Sequence, residues 1–351
     1  MVWLLKASNG GILADKLTHL ERIERLLSGV EIDRPPVTAW RHFYEREQTP
    51  DGLAEAMLSF QAKYDWDLMK INPRASYYVE GWGVRFRYSG TPGEKPASIA
   101  TVVKTSDDLL RIKPLDPHSG SYGEQLKAVG MIKGALAGRL DFVQTVFSPL
   151  SVAADLAESN GVFIDLMNAE TNLEPALDAI TITLERYVEA LLKAGASGIF
   201  FATTEWATRD HISEEQYLEY GQPYDLRVME KAKPAKFNVL HVCKRNNLLP
   251  LFKRYPVDIL SWDKYEPGNF DFAQADKIFT QVFMGGIDHL RTLVDGTSDA
   301  VAAQVVEALA DVGNHPLILA PGCALRINTR DENLQAMRKS VGNTERHWAG
   351  V

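Results

Sequence analysis

Short runs of apolar residues alternate with segments of helical periodicity along most of the chain. Eight runs are typical of buried strands, at residues 37–40, 67–73, 142–147, 198–202, 237–242, 257–262, 281–284 and 316–320. Helical patterns lie at residues 14–28, 51–63, 121–138, 150–158, 172–193, 214–233, 246–254, 271–278 and 298–312. Because eight strands that are each followed by a helix make a (β/α)8 TIM barrel, we predict that α/β fold. An open doubly wound sheet is the competing interpretation, but no Gly-x-Gly-x-x-Gly follows the first strand.

Residues 74–104 interrupt this rhythm with a segment rich in aromatic residues and glycine. Alternating side chains over 84–88 and 97–103 predict a β-hairpin inserted after the second strand. The aromatic side chains of this segment are Tyr77, Tyr78, Trp82, Phe86 and Tyr88. We expect them to form the core of the hairpin, and a flap or a docking surface is the alternative. No internal repeat is visible, so residues 1–351 are predicted to form a single TIM-barrel domain with this insertion.

The bulk composition narrows the classes of function. The chain has 351 residues, of which 45% are apolar, and a formal net charge of −8. The negative charge argues against nucleic acid or an anionic membrane as a main partner. No apolar run reaches the roughly 18 residues that a membrane span needs, and two distant cysteines do not make a secreted disulfide framework. We therefore expect a soluble cytoplasmic protein.

One histidine and the two cysteines give the strongest chemical signal. His241 and Cys243 end the fifth predicted strand, where their i, i+2 spacing directs both side chains to one face. Cys323 follows the eighth strand after a Pro-Gly turn. Because barrel enzymes place their chemistry at the carboxyl ends of the strands, the three side chains can meet at one mouth. Two thiolates and a neutral imidazole favour Zn²⁺ and leave a fourth coordination position open.

A zinc centre with two thiolate ligands is formally neutral. Such a centre is a weak hydrolytic Lewis acid, but it can bind an incoming thiol as a nucleophilic thiolate. The ordinary interpretation is that each cysteine is a small buried hydrophobe and the histidine is a satisfied polar residue. The position of both cysteines at predicted strand ends favours the metal interpretation.

Acidic residues at the ends of other strands are further candidates. Glu205, after the fourth strand, is a candidate catalytic carboxylate and fourth zinc ligand, with a solvated loop residue as the alternative. Asp263, at the end of the sixth strand, is a candidate to orient a ligand or to bind substrate during catalysis. Asp288 and His289 end the seventh strand and could support the ligands or the cofactor. For each of them, a purely structural role is the alternative.

Basic residues follow the first two predicted strands. Arg41, His42 and Arg74 could bind the carboxylates of a tetrapyrrole or folate-like cofactor, since a guanidinium group offers bidentate geometry. Surface salt bridges are the alternative for these residues. No Gly-x-Ser-x-Gly, phosphate-binding loop or His-Glu-x-x-His is present, so other common catalytic motifs are absent from the sequence.

Several segments together resemble the uroporphyrinogen decarboxylase superfamily of barrels, which also contains zinc-dependent corrinoid:thiol methyltransferases. The resemblance covers most of the chain and rests on residues 21–25 (ERIER), 33–37 (DRPPV), 63–67 (KYDWD), 285–288 (GGID) and 319–324 (LAPGCA). A His-x-Cys pair with a distant cysteine marks the methyltransferase branch. His241, Cys243 and Cys323 match this pattern position by position, so the resemblance implies that they bind zinc.

The decarboxylase branch fits the sequence less well. Its members carry two arginines four residues apart after the first strand, and here Arg41 matches the first while Glu45 replaces the second. The essential aspartate after the second strand is missing from residues 70–74 (KINPR). Near the carboxyl terminus, the decarboxylases have Gly-His where this chain has Gly322-Cys323.

The sequence therefore predicts a zinc-dependent methyltransferase that moves a methyl group between a corrinoid and a thiol or another small acceptor or donor. No Asp-x-His-x-x-Gly corrinoid motif occurs, so the cobalamin is expected on a separate partner protein. Transfer in either direction is compatible with these residues, and members of the family often pair as homodimers. The alternatives are a metal-free carboxy-lyase acting on another acidic substrate, and a non-catalytic barrel that binds a tetrapyrrole or corrinoid.

Overall fold

The computed structural model describes residues 16–169 and 172–343, and a curled parallel β-sheet lies at its centre. The strands of these residues are β1 (Met69–Ile71), β2 (Arg85–Arg87), β3 (Ala97–Ala100), β4 (Phe142–Phe147), β5 (Gly198–Ala202), β6 (Val239–Val242), β7 (Ile259–Trp262), β8 (Val282–Ile287) and β9 (Leu317–Pro321). All except β2 and β3 belong to one seven-stranded parallel sheet, in chain order. These seven strands coincide with the last seven predicted runs, which are thereby confirmed.

The first predicted strand, 37–40, is reduced to a single parallel bridge between Val37 and Leu319 of β9. The Thr38 N–H donates to the Leu319 carbonyl at 3.0 Å. On the other side, the Asp67 N–H donates to the Val37 carbonyl at 2.8 Å. The segment therefore bonds both to β9 and to the residue two positions before β1, which are the two ends of the sheet.

The reason for this reduction lies in the residues around Val37. Pro35 and Pro36 have no N–H group, so neither can donate to a neighbouring strand. The Val37 N–H donates instead to the Asp67 carboxylate, at 2.8 Å. The apolar pattern predicted the place of the segment correctly, but it did not show that too few backbone donors remain for a strand.

Helices cover the sheet on its outside. Those of the described residues are α1 (His19–Leu27), α2 (Pro50–Tyr64), α3 (Tyr77–Glu80), α4 (Ser106–Leu109), α5 (Gly120–Leu136), α6 (Pro149–Leu156), α7 (Asn160–Asn168), α8 (Leu173–Ala194), α9 (Glu214–Tyr220), α10 (Gln222–Ala232), α11 (Phe272–Asp276), α12 (Thr292–Asp295), α13 (Ser298–Asp311) and α14 (Asp331–Ser340). None of these helices is both long and apolar enough to cross a membrane.

The first helix begins later than predicted. Of the predicted range 14–28, residues 14 and 15 lie outside the described part of the chain, and α1 begins at His19. Thr18 ends the preceding extended segment, because its hydroxyl accepts from the Glu21 N–H while the Glu21 carboxylate accepts from the Thr18 N–H. This capping box fixes the start of the helix.

Proline interrupts two of the predicted helices. The range 214–233 is divided into α9 and α10 at Gly221, since Pro223 lacks the N–H that would continue the helical ladder. The range 246–254 contains only a 3₁₀-helix, Leu249–Arg254. Pro256 follows closely and disfavours helical geometry at the residue before it, so little room remains for an α-helix.

The insertion after β1 contains the predicted antiparallel pair, but the strands β2 and β3 are shorter than expected. Tyr77 and Tyr78 lie on α3, before this pair, and are buried against the main core. The Tyr77 hydroxyl donates to the Thr145 carbonyl at 2.8 Å, and the Tyr78 ring centre lies 4.2 Å from that of Phe147. The prediction that these two rings form the core of the hairpin is wrong, because the larger core between sheet and helices buries them more completely.

Two apolar cores lie on opposite faces of the curled sheet. The larger one fills the space between sheet and helices, and the smaller one lies inside the curl. Along β6, Leu240 and Val242 belong to the outer core and Val239 to the inner one. Because strand side chains alternate between faces, His241 also points inward.

A buried ionic network joins the N-terminal segment to the start of β1. The Asp67 carboxylate accepts from Arg22 Nη1 and from Arg34 Nη1, each at 2.6 Å, and lies 2.9 Å from His19 Nδ1. Burial alone would raise the pKa of Asp67, but hydrogen bonds from His19 and Arg34 and the charges of both arginines hold it well below its usual range. The same carboxylate accepts from Val37, so it helps to hold the segment that bonds both ends of the sheet.

His19 gains a second carboxylate partner, Asp65, at 3.0 Å from its Nε2. Hydrogen bonds to Asp65 and Asp67 raise the pKa of His19 to about 9, against the opposing effect of burial. The imidazolium form is therefore favoured in the folded protein well above the ordinary histidine pKa.

Asp67→Asn should destabilise the fold by roughly 3–5 kcal/mol, because it leaves two buried guanidinium groups without their shared carboxylate. The free energy of unfolding in urea is the measurement. Asp65→Asn is the matched control, since Asp65 is 60% exposed in its side chain and its loss should cost less than about 1 kcal/mol. Equal losses in the two variants would contradict a central role for Asp67.

The raised pKa of His19 predicts a loss of stability in mild alkali. The stabilisation is fully present below the unfolded-state value of 6.5 and disappears as the pH rises towards about 9. Urea unfolding at several pH values should show a decline of roughly 1–2 kcal/mol across that window in the parent protein. His19→Gln should lack this decline, and parallel pH profiles for the two proteins would refute the assignment.

Candidate metal centre

His241 and Cys243 occupy the carboxyl end of β6. His241 pairs in register with Ala202 of β5 and with Ser261 of β7, so its ring lies inside the curl. Cys243 follows the last residue of β6, on the same face as His241. Cys323 lies two residues beyond the end of β9.

The two cysteines meet although their strands are not neighbours. Strands β7 and β8 separate β6 from β9 in the sheet, yet Cys243 Sγ lies 3.5 Å from Cys323 Sγ. Both are free cysteines, and the separation is far longer than the roughly 2.05 Å of a disulfide bond. Two thiolates on one tetrahedral zinc ion, at about 2.3 Å each, would be about 3.8 Å apart. The observed spacing therefore suits two ligands of one metal ion.

His241 completes the group with an unused ring nitrogen. One potential ligand atom from each of His241, Cys243 and Cys323 lies within 4.8 Å of the other two. His241 Nδ1 lies 3.0 Å from Ser261 Oγ, whereas Nε2 is buried and has no hydrogen-bond partner among the described residues. With the proton on Nδ1, the lone pair of Nε2 is available to a metal. A bound zinc ion would supply the partner that this buried nitrogen lacks.

The electrostatics of the pair favour one thiolate in the absence of a metal ion. The hydrogen bond from Cys243 and the neighbouring His241 lower the pKa of Cys323 well below its usual value, although burial opposes the shift. The same hydrogen bond, together with burial, raises the pKa of Cys243. The site thus already stabilises negative charge on sulfur, which is the form that binds metals.

Tight backbone geometry holds both cysteines. Lys244, directly after Cys243, has a positive φ of 66°, and its carbonyl accepts from Asn269 Nδ2 at 2.9 Å. Gly322, directly before Cys323, packs against Asp263: a Cβ added there would lie 2.4 Å from the carboxyl carbon. Only glycine therefore allows the chain to pass this close to Asp263.

Asp263 also lies beside a histidine at the same end of the sheet. Asp263 Oδ2 is 3.2 Å from His289 Nδ1, and both residues are buried. Burial lowers the pKa of His289, but the interaction with Asp263 and the charge of Cys323 raise it overall. Asp288, in contrast, uses its carboxylate locally, because it accepts from the N–H groups of Leu290 and Arg291.

Glu205 lies apart from the three potential ligands. It belongs to the 3₁₀-helix Thr204–Ala207, and its carboxylate accepts from Asn160 Nδ2 at 3.1 Å. Thr204 has a φ of 48°, which is uncommon for a β-branched residue and marks a strained turn at the end of β5. The structure does not bring Glu205 into the compact His-Cys-Cys group.

The basic candidates have different surroundings. Arg74 is buried, and its guanidinium donates to Glu80 at 2.8 Å and to Glu124 at 2.7 Å, so it already has two carboxylate partners. His42 Nδ1 lies 3.1 Å from the buried Glu47 carboxylate. Arg41 is half-buried, with its guanidinium 5.5 Å from the centre of a phenylalanine ring.

Lys70 is a charged residue near the site that was not among the sequence candidates. It lies in β1 and is 5% exposed. Burial lowers the pKa of Lys70, and the charges of Cys323 and Cys243 oppose that shift. A lysine between Met69 and Ile71, in an apolar run, was the available signal, since lysine is rarely buried without a partner.

Comparison with known proteins shows the family of the chain. A family model described as uroporphyrinogen decarboxylase (URO-D) matches residues 18–344. Methylcobamide:CoM methyltransferase MtbA of Methanosarcina acetivorans is 24% identical over 349 residues, which covers 93% of this chain and 98% of that protein. The uroporphyrinogen decarboxylase of a Picosynechococcus species is 24% identical over 320 residues, with 86% of each chain covered.

Solved structures show the same fold. A methyltransferase from Methanosarcina mazei matches with a TM-score of 0.76 at 20% identity, over 93% of this chain and 98% of that one. A B12-independent methionine synthase from a Shewanella species matches with a TM-score of 0.58 at 14% identity, over 84% and 86% of the two chains. From the match over residues 18–344, we conclude that the chain belongs to the uroporphyrinogen decarboxylase (URO-D) family.

Proposed function

We propose that this protein is a zinc-dependent methyltransferase that moves a methyl group between a corrinoid on a separate protein and a thiol. The convergence of His241, Cys243 and Cys323 is the observation that carries the proposal. Relatives along nearly the whole chain are named methylcobamide:CoM methyltransferases, which supports the same chemistry.

The three side chains would hold the metal through one nitrogen and two sulfur atoms. Zinc with two thiolates and one imidazole is formally neutral, keeps a fourth position for substrate, and binds a thiol as a nucleophilic thiolate. Ser261 holds the His241 ring through Nδ1 and thereby directs Nε2 into the group. Orientation of this kind strengthens metal binding.

Other residues would shape the site around the ligands. Asp263 packs beneath Gly322 and beside His289, so we assign it to positioning the Cys323 segment. Glu205 is better placed to contact substrate than metal, because it lies outside the compact group and bonds to Asn160. Asp288 would support the turn after β8, through its bonds to backbone N–H groups, rather than contact the corrinoid.

We further propose that the curled sheet is the wall of a (β/α)8 barrel whose first strand is reduced to the bridge at Val37. The carboxyl ends of the strands then form the mouth, where barrel enzymes carry out their chemistry. The corrinoid protein would dock over that mouth, near Arg41 and His42, which follow the first segment.

A carboxy-lyase acting on an acidic substrate is the alternative, and a decarboxylase is among the relatives. Its chemistry needs free cationic groups for the substrate carboxylates. Arg74 is already paired with Glu80 and Glu124, and an acidic residue, Glu45, stands where the second family arginine is expected. The site therefore supports metal-dependent methyl transfer better than decarboxylation.

The purified, reduced protein should bind about one zinc ion per chain, measured by elemental analysis after dialysis. Cys243→Ser and Cys323→Ser should each weaken zinc binding by at least about a hundredfold, because each removes a ligand. His118→Gln, at an exposed histidine outside the group, is the matched control and should retain the metal. Full zinc content in both cysteine variants would refute the ligand assignment.

The zinc-loaded protein should demethylate free methylcobalamin in the presence of a thiol, followed by the change in corrinoid absorbance. Cys323→Ser should lose at least about 99% of this activity, and the His118→Gln protein should keep it. Zinc binding without methyl transfer to any of a panel of thiols would favour a binding protein. Carbon dioxide release from uroporphyrinogen by the metal-free protein would favour the carboxy-lyase.

A further inference from the structure

Lys70 points into the inner core, on the same side of the sheet as the metal ligands. Its register partner on β4 is Val143, and both Val143 and Leu68 belong to the inner apolar core. Strand alternation places Lys70, two residues after Leu68, on that face. Its Nζ lies 4.7 Å from the centre of the Phe200 ring, which packs 5.2 Å from the His241 ring. One aromatic ring therefore contacts both the ammonium group and the proposed zinc ligand.

The positive charge of Lys70 is balanced only by weak partners among the described residues. Nζ donates to Asn72 Oδ1 and lies 5.6 Å from the centre of the Trp40 ring, in addition to its contact with Phe200. Within residues 16–169 and 172–343, no carboxylate comes within ion-pair distance of it. Lys264 also has a buried side chain, but its positive charge is paired with the Asp311 carboxylate, as is usual for a buried lysine.

The charges that face Lys70 come from several elements. Burial lowers the pKa of Lys70 to about 7, and the negative charges of Cys323, Cys243 and Glu47 oppose that shift. Burial has a larger effect than these opposing charges, so a further negative charge nearby would favour the ammonium form. The negative charge of two cysteine thiolates that share one Zn²⁺ ion is already neutralised by the metal. These thiolates would therefore no longer stabilise the ammonium form of Lys70.

A substrate thiolate would restore the balance. With a third thiolate, the group of ligands around the divalent metal carries one net negative charge, at a site where His241 is buried and both cysteines are half-buried. A single buried ammonium group nearby is equal to that charge in magnitude and opposite in sign. A neutral thiol or a thioether would bring no such charge.

We propose that Lys70 is a positioning residue that selects the acceptor in its thiolate form, by supplying the balancing positive charge beside the metal site. The inference rests on the proposed function and adds to it a residue outside the three metal ligands that favours the thiolate. When the thiol binds, its S–H bond breaks and the sulfur keeps the electron pair at the metal site. The proton leaves to solvent where Lys70 is already an ammonium group, and it protonates Nζ where Lys70 is neutral.

The test compares a ligand that can ionise at sulfur with a methylated one that cannot. Binding of 2-mercaptoethanol and of its S-methyl thioether to the zinc-loaded protein is measured by calorimetry at pH 7, in two buffers that report proton release. Lys70→Met should bind the thiol at least about tenfold more weakly than the parent protein does. Its affinity for the thioether should change less than about twofold, since that ligand carries no charge.

Several outcomes would overturn the assignment. An unchanged thiol affinity in Lys70→Met would do so, and so would an equal loss for thiol and thioether, which would indicate only a change of shape. A loss seen with 2-mercaptoethanesulfonate but not with 2-mercaptoethanol would show that Lys70 binds an anionic tail instead of the thiolate. If the parent protein binds zinc but binds no thiol and transfers no methyl group to one, the proposed function itself fails.

Matched variants separate charge from folding. Lys264→Met removes a similarly buried ammonium group that Asp311 already neutralises, and it should leave thiol affinity unchanged. Lys70→Gln is a second neutral variant in case Lys70→Met does not fold, and both should retain zinc because neither removes a ligand. Zinc content and thermal unfolding are measured for each variant before calorimetry.

Discussion

The carboxylate of Asp67 fixes the geometry on which the site depends. It accepts from Arg22, Arg34 and the Val37 N–H, and it is fully buried. Val37 in turn bridges to Leu319 of β9, the strand that leads to Cys323. If the sheet opened at the Val37 segment, β9 would separate from β1. The curvature that brings Cys323 to Cys243 would then change. One buried anion with several donors therefore links the N-terminal helix, the curl of the sheet and the spacing of the two sulfur atoms.

The site combines a nearly neutral ligand set with an unusual buried cation. His241 is held through Nδ1 by Ser261 and its Nε2 has no hydrogen-bond partner among the described residues, while the two cysteine sulfur atoms lie 3.5 Å apart. These features suit a soft divalent metal that does not activate water strongly. Lys70 then supplies the charge that a third thiolate would need. The arrangement favours recognition of sulfur nucleophiles over hydrolysis.

The same fold serves different chemistry elsewhere in the family, so the function must be argued from the site. Decarboxylation of a tetrapyrrole requires cationic groups that face the substrate. In this chain, the buried Arg74 is already paired with Glu80 and Glu124. Cys323 would add the second sulfur ligand of the proposed metal ion. These few side chains, on a fold that the family shares, favour a site for a substrate thiolate over a site for substrate carboxylates.

Apolar periodicity was sufficient to locate seven strands of the sheet, because a buried parallel strand must be nearly continuous in apolar residues. It could not show that the segment at Val37 is a single bridge, since that depends on missing proline donors and on a distant carboxylate. It also assigned Tyr77 and Tyr78 to the wrong core, because an aromatic pattern does not reveal which of two cores offers more burial.

The sequence by itself determined which residue types could bind a metal and that His241, Cys243 and Cys323 fall at strand ends. Local chemistry and strand alternation are readable over a few residues. Only the tertiary structure decided that sulfur atoms from non-neighbouring strands approach to 3.5 Å, that Glu205 lies elsewhere, and that Lys70 packs on the Phe200 ring beside His241. Those facts depend on the curvature of the whole sheet, which is the sum of many long-range contacts that no short stretch of sequence contains.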